Sequence, residues 1–300
     1  MNIAKLRKFL MEWVLPPRGI RVVCYLMSRC LRGFSTILSY EQKTDRLYVL
    51  ANGPSLKKDL EKYGEEMMSY DRLVVNFMGT TEVYQKVRPT CYVIVDPLFF
   101  VPREGLPEAS RKNVEALQDV FVNKTSWPMT IVAPDHGRGS VLLKAVEANA
   151  NINVLYLSNL VPVPEDIVDF KGWAQNRYAP PCQNVVNSAL YLGIVWRYPQ
   201  IVLLGADTSF HAMTHVEQET NRLYQLDEHF YGVTKRYMYQ DPECTIPQTM
   251  SGFLPHVLRC FRWYDKLREF ADWAGVKIIN ASSFSWIDAF ERPKSDGFKR

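Results

Sequence analysis

From residue 46 onward, short apolar runs recur along the chain, and each closes on a small or polar residue. The first, 46–51 (RLYVLA), runs directly into Asn52, Gly53, Pro54, Ser55 and Leu56 and then into a polar stretch compatible with a helix. Runs at 72–77 (RLVVNF) and 90–95 (TCYVIV) repeat the pattern, with Asn76 and Asp96 at their ends. Further runs lie at 129–133, 154–157 and 201–204, the last closing on Gly205, Ala206 and Asp207. Residues 184–197 (NVVNSALYLGIVWR) read as an apolar helix. Strands of four to six residues alternating with helices predict an α/β fold, a mostly parallel sheet with helices on both faces. Ligands of such sheets sit outside the carboxyl ends of the strands. Asn52, Asn76, Asp96 and Asp207 all occupy that position, so four strands offer polar residues to one crevice.

Two stretches break the rhythm. Residues 208–255 are polar, rich in His and Tyr and weakly periodic, which reads as a long functional loop or lid. Helical spacing resumes at about 256–274, with Gly275 as the C-cap and a strand at 276–280. At the other end, the first 40 residues hold Lys5, Arg7, Lys8, Arg18, Arg21, Arg29 and Arg32 against a single acid, Glu12. Leu6, Phe9, Leu10, Trp13 and Val14 fall at helical spacing there, Pro16 and Pro17 interrupt them, and 20–31 is too short and too charged to span a bilayer. The segment 1–42 is therefore either an interfacial amphipathic anchor or a pair of helices packed on the main domain, 43–300.

Composition narrows the function classes a little. With 36 Lys+Arg, 32 Asp+Glu and 47% apolar residues, the chain is an ordinary folded one. Its net charge of +4, without a basic run of five, does not suit a nucleic-acid binder. Six scattered cysteines with no metal or redox spacing read as reduced thiols of a cytosolic protein.

The sharpest chemical feature is the turn from Asn52 to Ser55. A glycine admits close backbone approach, the following helix presents free N–H groups, and the serine adds a donor, which together suit a phosphate. A plain βα turn with a serine N-cap has the same look. Asn184, Asn187 and Ser188 open the next helix and either cap it or bind ribose, base or carboxylate. Asp207, at the end of a buried strand, is a candidate base or a cap. Among five histidines, His229, in Asp227-Glu228-His229-Phe230-Tyr231-Gly232, is the first choice of general base. His211 and His215, four apart, would share a face only if that stretch were helical, and two ligands make a weak metal site.

Taken in order, these segments resemble the bacterial CMP-sialic-acid-dependent sialyltransferases of glycosyltransferase family 42 and related lipopolysaccharide and capsule proteins. The resemblance covers roughly 46–292, with gaps. It rests on Ala51-Asn52-Gly53-Pro54-Ser55-Leu56, Val75-Asn76-Phe77, Asp96-Pro97-Leu98-Phe99-Phe100, the helix start at 184–188, Leu204-Gly205-Ala206-Asp207, and 278–283 with 287–292. Aspartate stands at 96 where the family has asparagine, the family's arginine is absent before Val185, and Val233 occupies the position of the lid histidine.

What the resemblance implies is a Rossmann-like, single-domain GT-A-like variant with a lid at about 208–255. It implies an inverting, metal-independent transfer of an acidic sugar, sialic acid or Kdo, from a CMP-activated donor to a cell-surface glycan or glycolipid. No cofactor beyond the donor is expected. Asn52, Gly53, Pro54 and Ser55 would lie at the phosphate, Asn76, Asp96, Asn184, Asn187 and Ser188 near nucleoside or sugar, and Tyr231 on the phosphate side. His229, or another group such as Asp207 or His211, would be the base. A cytoplasmic place, peripheral on the inner membrane, follows from such an acceptor. The alternatives are a Mg²⁺-dependent pyrophosphokinase or nucleotidyl transferase using Asp96 and Asp207, and a non-catalytic nucleotide-binding subunit of a glycan assembly complex.

Overall fold

A computed structural model describes residues 36–157, 168–177, 179–180, 183–230, 232–240 and 245–294. Most of the segment 1–42 lies outside these residues, as do Tyr231 and the side chains of Asp227 and Glu228.

Seven strands form one sheet: β1 (Arg46–Leu50), β2 (Asp71–Val75), β3 (Cys91–Val93), β4 (Met129–Pro134), β5 (Ile152–Leu157), β6 (Gln200–Leu204) and β10 (Lys277–Asn280). A separate antiparallel sheet holds β7 (Thr214–Glu217), β8 (Arg222–His229) and β9 (Gly232–Tyr237). The helices are α1 (Leu56–Met67), α2 (Glu82–Val87), α3 (Glu108–Asp119), α4 (Val141–Val146), α5 (Phe170–Ala174), α6 (Val185–Val195) and α7 (Met250–Ala274).

The large sheet runs β10-β6-β1-β2-β3-β4-β5, and every pairing in it is parallel. Both faces are buried, which is why the strands read as unbroken apolar runs. Side chains alternate between two cores: Leu47 and Val49 pack toward α6 and α7, while Tyr48 and Leu50 pack toward α1 to α4. Each fully buried side chain of this kind contributes roughly 1.5–3 kcal/mol, so the strand interiors dominate the fold. The sheet is the Rossmann-like arrangement expected from the sequence.

Connectivity decides where a ligand fits. From β1 the chain winds outward through β5, then returns to lay β6 on the other side of β1. The helices that follow, α1 after β1 and α7 after β6, pack on opposite faces of the sheet, which places a switch point at the carboxyl edge of these two strands. Arg72 braces the next strand: its guanidinium donates to the carbonyls of Val87 (2.8 Å), Met68 (3.1 Å), Arg88 (3.1 Å) and Tyr70, saturating the last turns of α1 and α2.

Two expectations change. The stretch read as a loop carries the β7–β9 sheet, whose outer strand β9 is almost wholly exposed and so shows no apolar alternation. The last helix begins at Met250 rather than near 256. Thr249 caps it by accepting the Gly252 N–H (3.1 Å), and Pro255, in the second turn, costs only one helical hydrogen bond.

Candidate functional site

The crevice at the β1–β6 switch is a cleft of about 170 Å³. Asn52 and Gly53 from the end of β1, Asn76 from β2, Asp207 and Thr208 from β6, and His229 from the end of β8 all line it. Of the helix start at 184–188, Asn184, Val185 and Val186 reach the same cleft.

One wall is closed by bonds within the protein. The Gly53 N–H donates to the Gly205 carbonyl (2.8 Å), and a Cβ at Gly53 would lie 2.5 Å from that oxygen and 2.6 Å from Asp207 Cγ. The close approach that calls for glycine is thus made by the β6 loop. Asp207, 4% exposed, accepts the Ser55 N–H (2.9 Å) and the Ser55 hydroxyl. It caps α1 from a strand end 152 residues away, so the carboxylate stands where an anion is drawn to a helix N-terminus. Behind it Asp59, 1% exposed, accepts the N–H groups of Gly205 (2.8 Å) and Ser283 (2.7 Å).

The other wall is open. The Asn52 Nδ2 donates a long bond to the Val75 carbonyl (3.3 Å), while its Oδ1 is buried without a partner. Asn76 adopts a left-handed backbone (φ 47°), pinned by the Tyr92 hydroxyl, which donates to its carbonyl and accepts the Gly79 N–H (2.7 Å). Its Oδ1 is also buried without a partner. Thr208 is left-handed as well (φ 49°), a costly conformation for a β-branched residue, and such outliers concentrate at functional sites. Among the described residues, the backbone N–H groups of Thr208, Ser209 and Phe210 donate to no acceptor. The β8–β9 hairpin leans over this wall, with His229 on the rung opposite Gly232 and the Phe230 N–H on the Asn52 carbonyl (3.2 Å).

No protein-family model matches the chain, and no curated protein matches it. Among solved structures, it is similar to the MAf glycosyltransferase from Magnetospirillum magneticum AMB-1, at 14% identity and a TM-score of 0.45. That superposition covers 86% of this chain and 35% of the other, so the chain spans about a third of that structure's length.

The remaining expected site residues are distributed as follows. Pro54 is exposed in the β1–α1 turn. Asp96 is exposed at the end of β3, outside the cleft lining, and accepts the Leu98 N–H (3.0 Å) to cap its own turn. The Asn184 Oδ1 caps α6 through the Asn187 N–H (2.9 Å), and its Nδ2 donates to the Tyr264 hydroxyl (2.9 Å) and Cys260 Sγ (3.1 Å). Asn187 is fully buried beside Ser188, and neither of its amide atoms has a partner. Tyr231 lies outside the described residues.

His211 and His215 do not share a helix. His215 is on β7, stacked on Tyr224 (5.4 Å). His211 sits edge-on to Phe210, Phe261 and Trp286, where burial pushes its pKa down, partly offset by the Thr208 carbonyl. No group of three His, Cys, Asp or Glu among the described residues is placed to hold a metal, and no described helix is long and apolar enough to cross a membrane. Sequence reasoning missed Thr208, Ser209 and Phe210. Their signal was their place immediately after Asp207, where a buried strand must open onto the carboxyl edge.

Proposed function

We propose that this chain is a glycosyltransferase whose cleft at the β1–β6 switch takes a nucleotide-activated sugar, with CMP-linked sialic acid or Kdo as the first donors to test and a cell-surface glycan as acceptor. The observation that carries the reading is the pair of buried, unpartnered amide oxygens, Asn52 Oδ1 and Asn76 Oδ1, on two residues that line one cleft. Such acceptors cost free energy until a donor reaches them. Ribose or sugar hydroxyls and an exocyclic amine supply such donors.

In this reading the transfer inverts the anomeric centre without a metal. As the bond from the anomeric carbon to phosphate oxygen lengthens, negative charge grows on the leaving phosphate. The free N–H groups of Thr208, Ser209 and Phe210 are the donors that meet it. His229 takes the proton from the attacking acceptor hydroxyl. Asp207 serves by holding Gly53 and Ser55 in place, its carboxylate already engaged by Ser55. The Mg²⁺-dependent phosphoryl-transfer alternative draws on Asp96 and Asp207; the first caps its own turn and the second caps α1 through Ser55.

The test is a thermal-shift series on the full chain with CMP, UDP, GDP and ATP, since a ligand of the native state raises the melting temperature. CMP is expected to raise it, with no loss of the effect in EDTA. A shift with ATP alone, dependent on Mg²⁺, overturns the reading.

A further inference from the structure

The segment that follows β10 is bonded to the loop that leaves β6. The Ala206 N–H donates to the Ser282 hydroxyl (3.0 Å), and the Ser285 hydroxyl donates to the Ala206 carbonyl (2.6 Å). The Trp286 N–H donates to the Asp207 carbonyl (2.9 Å), and the Trp286 ring stands edge-on to His211 (4.7 Å). Arg292 holds the segment in shape, its guanidinium donating to the carbonyls of Asn280 (3.3 Å), Ser282 (2.6 Å) and Ser285 (3.3 Å). None of these residues lines the cleft, whereas the run from Ala206 to Phe210 does.

The bond to Trp286 fixes more than a carbonyl. A trans peptide is flat, and its C=O and N–H point in opposite directions. With the Asp207 carbonyl turned to Trp286, the Thr208 N–H on the same peptide is turned away from it. Thr208 is tied on its side chain as well, because the Tyr264 hydroxyl, which accepts from Asn184 Nδ2 (2.9 Å), pairs with Thr208 Oγ1 at 3.4 Å. A left-handed β-branched residue persists only where its surroundings over-determine it, and the bonds on either side of Thr208 do so.

We propose that Trp286, through its backbone N–H, and Ser285, through its hydroxyl, are positioning residues that aim the free N–H groups beginning at Thr208 into the cleft. The inference rests on the reading of those groups as donors to the leaving phosphate. Flipping the Asp207–Thr208 peptide would put a carbonyl oxygen where the Thr208 N–H stands, so a donor to an anion would become an acceptor that repels it. Donors held in place before the ligand arrives cost no reorganisation when charge develops, and the segment after β10 supplies that restraint without touching the ligand.

The test compares CMP with cytidine, which differ by the phosphate alone, in calorimetric titrations of the full chain, with inorganic pyrophosphate as a third probe. Trp286→Pro deletes the N–H, and Trp286→Phe keeps both the N–H and an aromatic ring beside His211. The wild type is expected to prefer CMP to cytidine. Trp286→Pro is expected to lose at least about tenfold of that preference with cytidine affinity unchanged, and Trp286→Phe to restore it. Ser285→Ala is expected to lose about threefold, restored by Ser285→Thr, and this pair carries the test if Trp286→Pro does not fold. A purely structural role would weaken CMP and cytidine alike. Equal losses for the two, an undiminished preference in the folded variants, or a wild type that binds CMP and cytidine equally overturns the proposal and leaves the cleft a nucleotide site. Should the wild type bind pyrophosphate but neither CMP nor cytidine, and the variants lose it, the positioning stands and the donor reading falls. Pyrophosphate binding that the variants retain, or a wild type that binds none of the three probes, overturns both.

Discussion

The two walls of the cleft are built from neighbouring residues and treated oppositely by the protein. Along Gly53, Ser55 and Asp207, each of these donors or acceptors has a partner inside the chain. One step away, Asn52 and Asn76 end the adjacent strands with amide oxygens that have none. Residue type alone does not separate these roles, since serine, aspartate and asparagine are all expected at strand ends and caps. The separation comes from who else arrives. The β6 loop fits against the β1–α1 turn and consumes its donors, whereas no described residue donates to the two amide oxygens. A knot of this kind fixes the wall in space, and in the proposed donor site the open amides read what enters.

The largest effect that can break this comparison is on stability. Asp207→Ala removes an acceptor of two charge-assisted bonds from a buried position and leaves the Ser55 N–H and hydroxyl unpaired. We expect a loss of about 3–5 kcal/mol, measured by urea unfolding. If Asp207→Ala keeps wild-type stability and loses only nucleotide binding, the aspartate belongs to the reading wall and the division is wrong.

A smaller stability effect with a larger binding effect is expected on the other wall. Asn52→Ala deletes one long hydrogen bond and one unpartnered oxygen, so unfolding free energy should move by less than about 1 kcal/mol. Asn76→Gly keeps the left-handed backbone permissible while removing the amide. Both variants should weaken CMP binding at least tenfold by calorimetry. Unchanged CMP affinity in both variants returns the amides to a structural role.

The strands were legible because both of their faces are buried, and continuous apolar runs such as 46–51 and 201–204 admit little else. Their carboxyl-end residues were legible for the same reason: a buried run must end in something polar. The partners of those residues were not. The bond from Ser55 to Asp207 spans 152 positions, and Asp59, buried in the first turn of α1, carries no local sign that it holds the loop at Gly205 and the one at Ser283. The β7–β9 sheet escaped notice because β9 is almost wholly exposed and most described positions of β7 and β8 are half-buried, with polar residues at many of them, so the apolar pattern is weak. Pro255 concealed the start of α7, because a proline in the second turn resembles a boundary.

His211 follows the cleft-lining run 207–210 and packs its ring behind it against Phe210, Phe261 and Trp286, and it supplies the finest test. Its ring is packed against Phe261 and Trp286, and burial holds its pKa below the ordinary histidine value near 6.5. Between the folded and unfolded pKa values the unfolded chain binds more protons, so stability rises with pH through that window. The contribution is present above about pH 6.5 and is lost as pH falls through the folded value. Because the ring is only partly buried, the change should stay below about 1 kcal/mol. His211→Phe keeps the aromatic packing and removes the titration, so its unfolding free energy should decline less than the wild type's between pH 7 and pH 5, two values about the ordinary histidine pKa. An identical decline in the two proteins would mean that the ring is solvated in solution. The packing behind residues 207–210 would then be looser than the aromatic contacts of His211 imply.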